Sequence, residues 1–478
     1  MRTTTTTLAG ALMLSGCAVL PKPANIQTQG VEWIKTAAPA CATPSSEEAL
    51  KAAVGSNPEA LRFARKVGAT EAVLAGEPML AGNAVELLVD GPATHAEQLA
   101  AIRKAKHHIH LDVYIITDEK LGQAYADALE ERARNGVKVR LIFDSVGGLN
   151  AGYKFRESLK DAGVEIYEFN SVNPLKEPRI WRLNRRSHRK LLVVDGTVAF
   201  TGGINITDEY ASPSPVAGSS GTGNGQKAGW RDTHIKVQGP AVAEFQRAFL
   251  EHWEAAKGPV EMAPEYFPNN AAKGSNLVRV VTNHGADLLR LTLGIPEDAA
   301  KKLLQQNNDG RNGVYATYLT AIREAKQQIW ITQAYFAPSD EFLDLLKQAA
   351  KRGVDVRVLV PGVADVGLLP IVARNYYDEM LSAGIRLFEY QPVMIHAKTA
   401  VVDHVWSTVG SSNLDFRSFI HNDEANAVII GKAFATEMDR LYTEDLQLSK
   451  EITLEAWRER PLGERLKEKS AALIKFWI

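Results

Sequence analysis

One short pattern occurs twice in this chain, and both copies carry chemically active side chains. The first is His188-Arg189-Lys190-Leu191-Leu192-Val193-Val194-Asp195, continuing to Gly202-Gly203-Ile204-Asn205. The second is His396-Ala397-Lys398-Thr399-Ala400-Val401-Val402-Asp403, continuing to Gly410-Ser411-Ser412-Asn413, so histidine, lysine, aspartate and asparagine all recur at an offset of 208. Three further matches keep the same order: residues 101–106 with 321–326 at an offset of 220, 136–140 with 353–357 at 217, and 162–169 with 383–390 at 221. Small drifts in offset are what loop insertions produce, and a period this long is a duplicated domain rather than a solenoid repeat. The chain is therefore expected to fold as two related bodies.

Each copy alternates strand and helix. In the first, residues 108–116 are β-rich, 120–134 place Leu121, Tyr125, Leu129 and Ala133 at helical spacing, and 137–144 form an apolar strand. The second repeats this with 329–336, 341–351 and 354–361. Gly136 stands where a helix C-cap glycine belongs. The expected fold class is α/β, with two homologous domains packed together. The expected limits are a lead-in at 47–82, domains at 83–257 and 276–450, a junction at 258–275 holding Pro259, Pro264 and Pro268, and a tail at 451–478. Residues 211–229, rich in Ser, Gly and Pro and present only in the first copy, read as a mobile loop.

On a buried strand, residues two apart share a face, so His188 projects with Lys190 and His396 with Lys398. Two imidazoles, two ammoniums and the amides of Asn205 and Asn413 converging from related domains suit a phosphodiester. Lysines neutralise its nonbridging oxygens and amides donate to them, stabilising a pentacoordinate phosphorus with neither metal nor cofactor. One imidazole can attack phosphorus while the other gives and takes protons. Asp195 and Asp403 complete the motif and are grouped with its catalytic residues. Each nevertheless follows its histidine by seven positions, so strand parity turns it the other way, towards a structural role.

Composition narrows the partners. Lys plus Arg number 55 against 56 Asp plus Glu, a net charge of −1, so no global positive field awaits nucleic acid and any anion site is local. Two cysteines, Cys17 and Cys41, cannot build a disulfide framework or a structural zinc site. The N-terminus reads as an export signal: Arg2, an apolar run over residues 8–14, then Ser15-Gly16-Cys17. Residues 18–46, rich in Pro, Ala, Thr and Ser, read as a flexible tether. Beyond the signal no apolar run approaches the roughly 18 residues of a spanning helix.

The duplicated HxKxxxxD and the following GxxN resemble the signature of the phospholipase D superfamily, and further strings are similar to bacterial cardiolipin synthases: residues 85–94 (VELLVDGPAT), 202–210 (GGINITDEY), 230–234 (WRDTH) and 410–419 (GSSNLDFRSF). The resemblance covers about residues 80–478 and implies a shared active site at the domain interface, with Asn205 and Asn413 binding phosphate. It also implies that a downstream acid in each copy orients that copy's own histidine: Asp232 for His188 and Glu424 for His396. The resemblance departs at the N-terminus, where the family's usual transmembrane helices are replaced by residues 14–17, which separately resemble a bacterial lipobox with Cys17 as the acylated residue. Two or three acyl chains would hold the body on a membrane, at the periplasmic side.

The function so implied is a membrane-associated phosphatidyltransferase that passes a phosphatidyl group to phosphatidylglycerol through a phosphohistidine, with phosphatidylglycerol or phosphatidylethanolamine as donor. A phospholipase D giving the group to water uses the same histidines, and the motifs do not separate the two. An exported nuclease of the superfamily is disfavoured by the neutral charge. The seven basic residues within 176–190 read equally as a rim for anionic headgroups or as a solvated loop, and the tail from Leu462 as docked on the body or lying in a membrane interface.

Overall fold

The computed structural model describes residues 47–75, 77–173, 184–216, 228–258, 260–285, 313–364 and 369–461. Cys17 and Cys41, the signal and tether, most of the 211–229 insertion, the start of the basic stretch and the tail from Leu462 lie outside the described residues.

Each half builds the same strands. The first supplies β1 (Leu80–Val89), β2 (His108–Val113), β3 (Lys138–Asp144), β4 (Glu165–Phe169), β5 (Arg186–Ser187), β6 (Lys190–Val194), β7 (Val198–Gly202) and β8 (Thr233–Gln238). The second supplies β9 (Asn276–Asn283), β10 (Gln328–Gln333), β11 (Asp355–Pro361), β12 (Arg386–Tyr390), β13 (Lys398–Val402), β14 (Trp406–Gly410), β15 (Asn422–Ile430) and a closing β16 (Ser449–Ile452). Strands β2, β3 and β4 run parallel through crossover helices, and β6, β7 and β8 fold back antiparallel. Strands β10 to β15 repeat that arrangement.

The two bodies share more than a packed face. Strand β1 pairs with β8 on one side and with β9 on the other, while β9 also pairs with β15. Among the described residues one sheet therefore runs β16-β12-β11-β10-β13-β14-β15-β9-β1-β8-β7-β6-β2-β3-β4, with β5 alone off this path. Alternation along the motif strands divides their burial. Leu191 and Val193 enter a core shared with Val280, Val401, Val409 and Ile429 of the second half, whereas Leu192 and Val194 pack under the first half's own helices.

Local chemistry explains the element limits. The helix Asp340–Lys351 starts where Ser339 Oγ accepts from Phe342 N at 3.2 Å, buries Phe342, Leu343, Leu346 and Ala349 on one stripe, and ends before Gly353 at φ 86°. The strand expected over 108–116 stops at Val113. Asn205 Oδ1 claims the Ile115 N–H at 3.2 Å and Ile115 C=O accepts from Ile206 N at 3.1 Å, so the ladder cannot continue. The helices Glu47–Val54 and Pro58–Ala75 clasp the second half, where Leu50, Val54 and Val67 join the Tyr318, Leu319 and Ile331 cluster. Glu71 fastens that clasp by accepting from Arg279 at 2.9 Å and from Trp406 Nε1 at 3.0 Å. Among the described residues no helix is long and apolar enough to cross a membrane.

Register fixes where the motifs meet. Val113 at the end of β2 lies opposite Lys190 at the start of β6, and Gln333 at the end of β10 lies opposite Lys398 at the start of β13. Both motif lysines thus stand at the edge where the parallel strands end, the edge at which open α/β sheets place their ligands.

Candidate active site

Two pairings across the halves assemble the site. Strand β5 runs parallel to β15 with Arg186 opposite Asn422 and Ser187 opposite Asp423, and His188 N donates to Asp423 O at 2.8 Å. The next residues along, His188 and Glu424, are therefore neighbours. On the other side Arg231 bridges Ile395 in parallel, and His396 N donates to Arg231 O at 2.7 Å, which brings Asp232 beside His396.

The acids are consequently exchanged between halves. Glu424 of the second half holds His188 of the first, with Nδ1 3.0 and 3.1 Å from its two oxygens, and Asp232 of the first half holds His396 of the second, with Nδ1 2.9 Å from Oδ2. The expectation that each acid orients the histidine of its own copy is corrected by this geometry. The reason is register: each motif segment enters beside the acid-bearing strand of the opposite half.

Both imidazoles have a fixed tautomer. His188 Nδ1 faces only acceptors, the Glu424 carboxylate and the Ser411 carbonyl at 3.0 Å, so Nδ1 carries the proton and Nε2 keeps its lone pair. Among the described residues no hydrogen-bond partner reaches that Nε2. His396 Nδ1 likewise gives its proton to Asp232, but its Nε2 accepts from Lys398 Nζ at 2.8 Å. Lys398 Nζ also donates to His396 O, and Lys190 Nζ donates to His188 O at 2.8 Å. Tyr114 packs on His188 with ring centroids 4.9 Å apart, and Tyr335 takes the matching place at His396 at 5.9 Å.

Burial sets the protonation states. It pushes both His188 and His396 down to about 4, with the neighbouring lysines adding to the effect and the acids opposing it. Burial likewise pushes Lys190 down to about 7, against the pull of Glu424. For Glu424 and Asp232 burial acts upward. Their histidines and the nearby lysines outweigh it, and both carboxyls stay below their ordinary values. At neutral pH the site therefore pairs neutral imidazoles with ionised acids.

The remaining motif residues divide. Asn205 is buried, with its oxygen tied to Ile115 N, which leaves the Nδ2 donors for a ligand. Asn413 is buried with its side-chain oxygen unpartnered among the described residues. Asp195 and Asp403 do not face the site, and their grouping with the catalytic residues is corrected. Asp195 sits at φ 52° beyond the far end of β6 and accepts from Lys106 N, His107 N and His108 N at 2.8, 2.8 and 3.0 Å. Asp403, at φ 51°, does the same for Lys326 N, Gln327 N and Gln328 N. Each closes the turn that leads from a helix into the neighbouring parallel strand, at the end of the repeated 101–106 and 321–326 strings.

Several supporting groups have roles that sequence spacing does not reveal. Behind His188, His252 Nδ1 lies 2.6 Å from Asp112 Oδ2, and Arg185 pairs with Asp423 at 2.8 Å. Behind His396, Arg231 is clamped by Asp445 at 2.8 and 2.9 Å and stands 3.6 Å from Asp90. Tyr210 donates to Asp232 Oδ2 at 3.2 Å, with its oxygen 2.8 Å from His396 Nδ1. Only the quoted strings containing Asp90, Tyr210 and Arg231 hinted at them, and their roles depend on contacts across the halves.

Comparison with known proteins decides the family. A family model described as cardiolipin synthase, PLD-like domain, matches residues 99–213 and 318–446. This chain belongs to that family. The cardiolipin synthase of Alkalihalophilus pseudofirmus is 34% identical over 432 residues, covering 90% of this chain and 78% of the relative. The major cardiolipin synthase of Bacillus subtilis is 34% identical over 396 residues, covering 82% and 75%. The crystal structure of phosphatidylserine synthase from Haemophilus influenzae matches with a TM-score of 0.62 at 14% identity, over 86% of this chain and all of that one, a likeness of fold. With both copies of the family's motif in place, the chain is a phosphatidyltransferase of the phospholipase D superfamily.

Proposed function

We propose that this enzyme is a cardiolipin synthase that moves a phosphatidyl group onto the headgroup hydroxyl of phosphatidylglycerol through a covalent intermediate on His188. The observation that carries the assignment of roles is the unequal state of the two Nε2 atoms: among the described residues that of His188 has no hydrogen-bond partner, and that of His396 is already in a hydrogen bond with Lys398. The similarity to curated cardiolipin synthases supports the substrate class.

The donor's phosphodiester enters between Lys190 and Lys398, where its negative charge raises the proton affinity of His396 above that of the empty site. His188 Nε2 attacks phosphorus, the P–O bond to the donor headgroup breaks, and His396 Nε2–H protonates the departing alkoxide, releasing glycerol. The headgroup hydroxyl of a second phosphatidylglycerol then gives its proton to His396. Its oxygen forms the new P–O bond as the P–N bond to His188 breaks, and cardiolipin leaves. The charge on the ring of phosphorylated His188 is balanced by Glu424, and that on His396 by Asp232.

Incubation with labelled phosphatidylglycerol, alone and with phosphatidylethanolamine, should yield labelled cardiolipin. Phosphatidic acid as the main product would make the protein a phospholipase D instead. We further propose that the body is held at the periplasmic face of a bacterial membrane by acylation at Cys17, on the strength of the lipobox-like residues 14–17. Cys17→Ser should abolish palmitate labelling and leave an unprocessed precursor, and wild-type protein that labels no better than this variant would refute the anchor.

A further inference from the structure

The two halves repeat the histidine, the lysine and the acid, but not the hydroxyl that steadies the acid. At Glu424 that hydroxyl is Ser411 Oγ, which donates to Oε2 at 2.6 Å. The matching position in the first copy is Gly203, where an added Cβ would lie 2.2 Å from Asp232 Oδ1. The shorter acid stands so close to the backbone that no serine fits. Asp232 nevertheless receives a hydroxyl, because Tyr210 donates to its Oδ2 at 3.2 Å. The same phenolic oxygen lies 2.8 Å from His396 Nδ1, whose proton is thereby shared between the carboxylate and the phenol.

Tyr210 is itself fixed. It is buried at the end of the 3-10 turn Asp208–Tyr210, and its carbonyl packs on Gly91 so closely that a Cβ there would come within 1.7 Å. Its ring packs edge-on to Trp230 at 5.5 Å. Among the described residues no phenol hydrogen-bonds His188 Nδ1 in the corresponding way. Its second acceptor is the Ser411 carbonyl.

We propose that Tyr210 is a positioning residue for His396, its hydroxyl replacing the serine that Gly203 excludes and holding the ring so that Nε2 meets the leaving and the entering headgroup oxygens. This rests on the reading that His188 attacks phosphorus and His396 moves protons. Without the phenol, Nδ1–H keeps one acceptor in place of two, and the ring can tilt about its bond to Asp232. The attack by His188 is untouched. The loss therefore falls only on steps that need a proton at His396, and it depends on the leaving group: an alkoxide needs that proton, whereas p-nitrophenolate departs without it.

The test uses the full chain carrying Tyr210→Phe, in rapid-quench experiments with two donors, phosphatidylglycerol and phosphatidyl-p-nitrophenol. The expected result is a p-nitrophenol burst at the wild-type rate, while phosphohistidine formation from phosphatidylglycerol falls about tenfold or more with KM unchanged. Ser411→Ala, which removes the hydroxyl from the opposite acid, should instead slow the p-nitrophenol burst. Equal losses with both donors in Tyr210→Phe, or no loss with either, would overturn the positioning role while leaving the wild-type mechanism standing. A wild-type phosphohistidine mapped to His396 would overturn the proposal together with the mechanism beneath it.

Discussion

The exchange of acids between halves makes a prediction that an own-half pairing reverses. In Glu424→Gln the packing is nearly conserved, and the amide can still contact Ser411 and Asn422, but the negative charge beside His188 is gone. When Nε2 bonds to phosphorus, the ring becomes cationic, with the carboxylate 3.0 Å from Nδ1. At an effective dielectric of ~20 and a charge separation of ~4 Å, the lost attraction is about 4 kcal/mol, roughly a thousandfold in rate. That loss belongs to formation of the phosphohistidine and should appear even with a donor whose leaving group needs no proton. Asp232→Asn should show the complementary pattern, with a near-normal burst from phosphatidyl-p-nitrophenol and a large loss with phosphatidylglycerol. Rapid-quench measurement of the enzyme-bound phosphate on both variants, with melting temperatures to show that each is folded, decides the matter. If Glu424→Gln spares the burst and Asp232→Asn destroys it, the exchanged pairing does not operate in catalysis.

Three further outcomes follow from the same geometry. Asp195→Asn and Asp403→Asn should each lower stability by about 2 kcal/mol in urea melts, since each weakens charge-assisted bonds to three backbone N–H groups, while turnover per folded molecule persists. Lys190 is held down to about 7 and attracts an anion when protonated, so its contribution to affinity is full below that pH and declines above it. Tungstate, fully ionised across this window, should inhibit progressively less as pH rises past about 7, by up to tenfold per pH unit, and Lys190→Arg should flatten that dependence. Gly203→Ala places a methyl 2.2 Å from Asp232 Oδ1 and should cut turnover sharply with a smaller change in melting temperature; wild-type kinetics in this variant would show that Asp232 has room to move.

Strand periodicity and the duplicated motif made much of this molecule legible. The run Leu191 to Val194 announces a buried strand; Asp195 does lie away from the site, but because the strand ends at Val194 and the chain turns at φ 52°, not because of strand parity. The crossover helix at residues 120–134 and the glycine that ends it follow from spacing alone. The partners of the histidines did not follow. Glu424 lies twenty-eight positions after His396 in the chain, and the family resemblance assigned it to the histidine of its own copy. Which strand lies beside which is set by long-range pairing, here two residues of β5 against β15 and one bridge from Arg231 to Ile395, too short to leave any periodic trace. Tyr210 was hidden for a similar reason. Its turn has no period, and its role appears only once Gly203 is seen to lie against Asp232.

That arrangement places the difference between the two half-sites in an unexpected part of each domain. The motif segments are closely alike: each gives an imidazole and an ammonium bonded back to the histidine's own carbonyl, and a tyrosine just beyond the adjacent parallel strand, Tyr114 after β2 or Tyr335 after β10, packs on the ring. Beyond the bond from Lys398 to His396 Nε2, what differs is the acid and its hydroxyl, Glu424 with Ser411 on one side and Asp232 with Tyr210 on the other. Because the acids are exchanged, the character of each histidine is tuned by residues of the opposite half. Glu424 meets Nδ1 with both oxygens and leaves Nε2 to attack, a pairing that serves a ring about to carry a covalent cationic charge. Asp232 meets Nδ1 with one oxygen and shares that proton with a phenol, a cradle that holds the ring's direction while its charge comes and goes. Neither motif histidine is paired with an acid of its own half, so the short β5 to β15 register and the Arg231 bridge are as necessary to the chemistry as the histidines themselves.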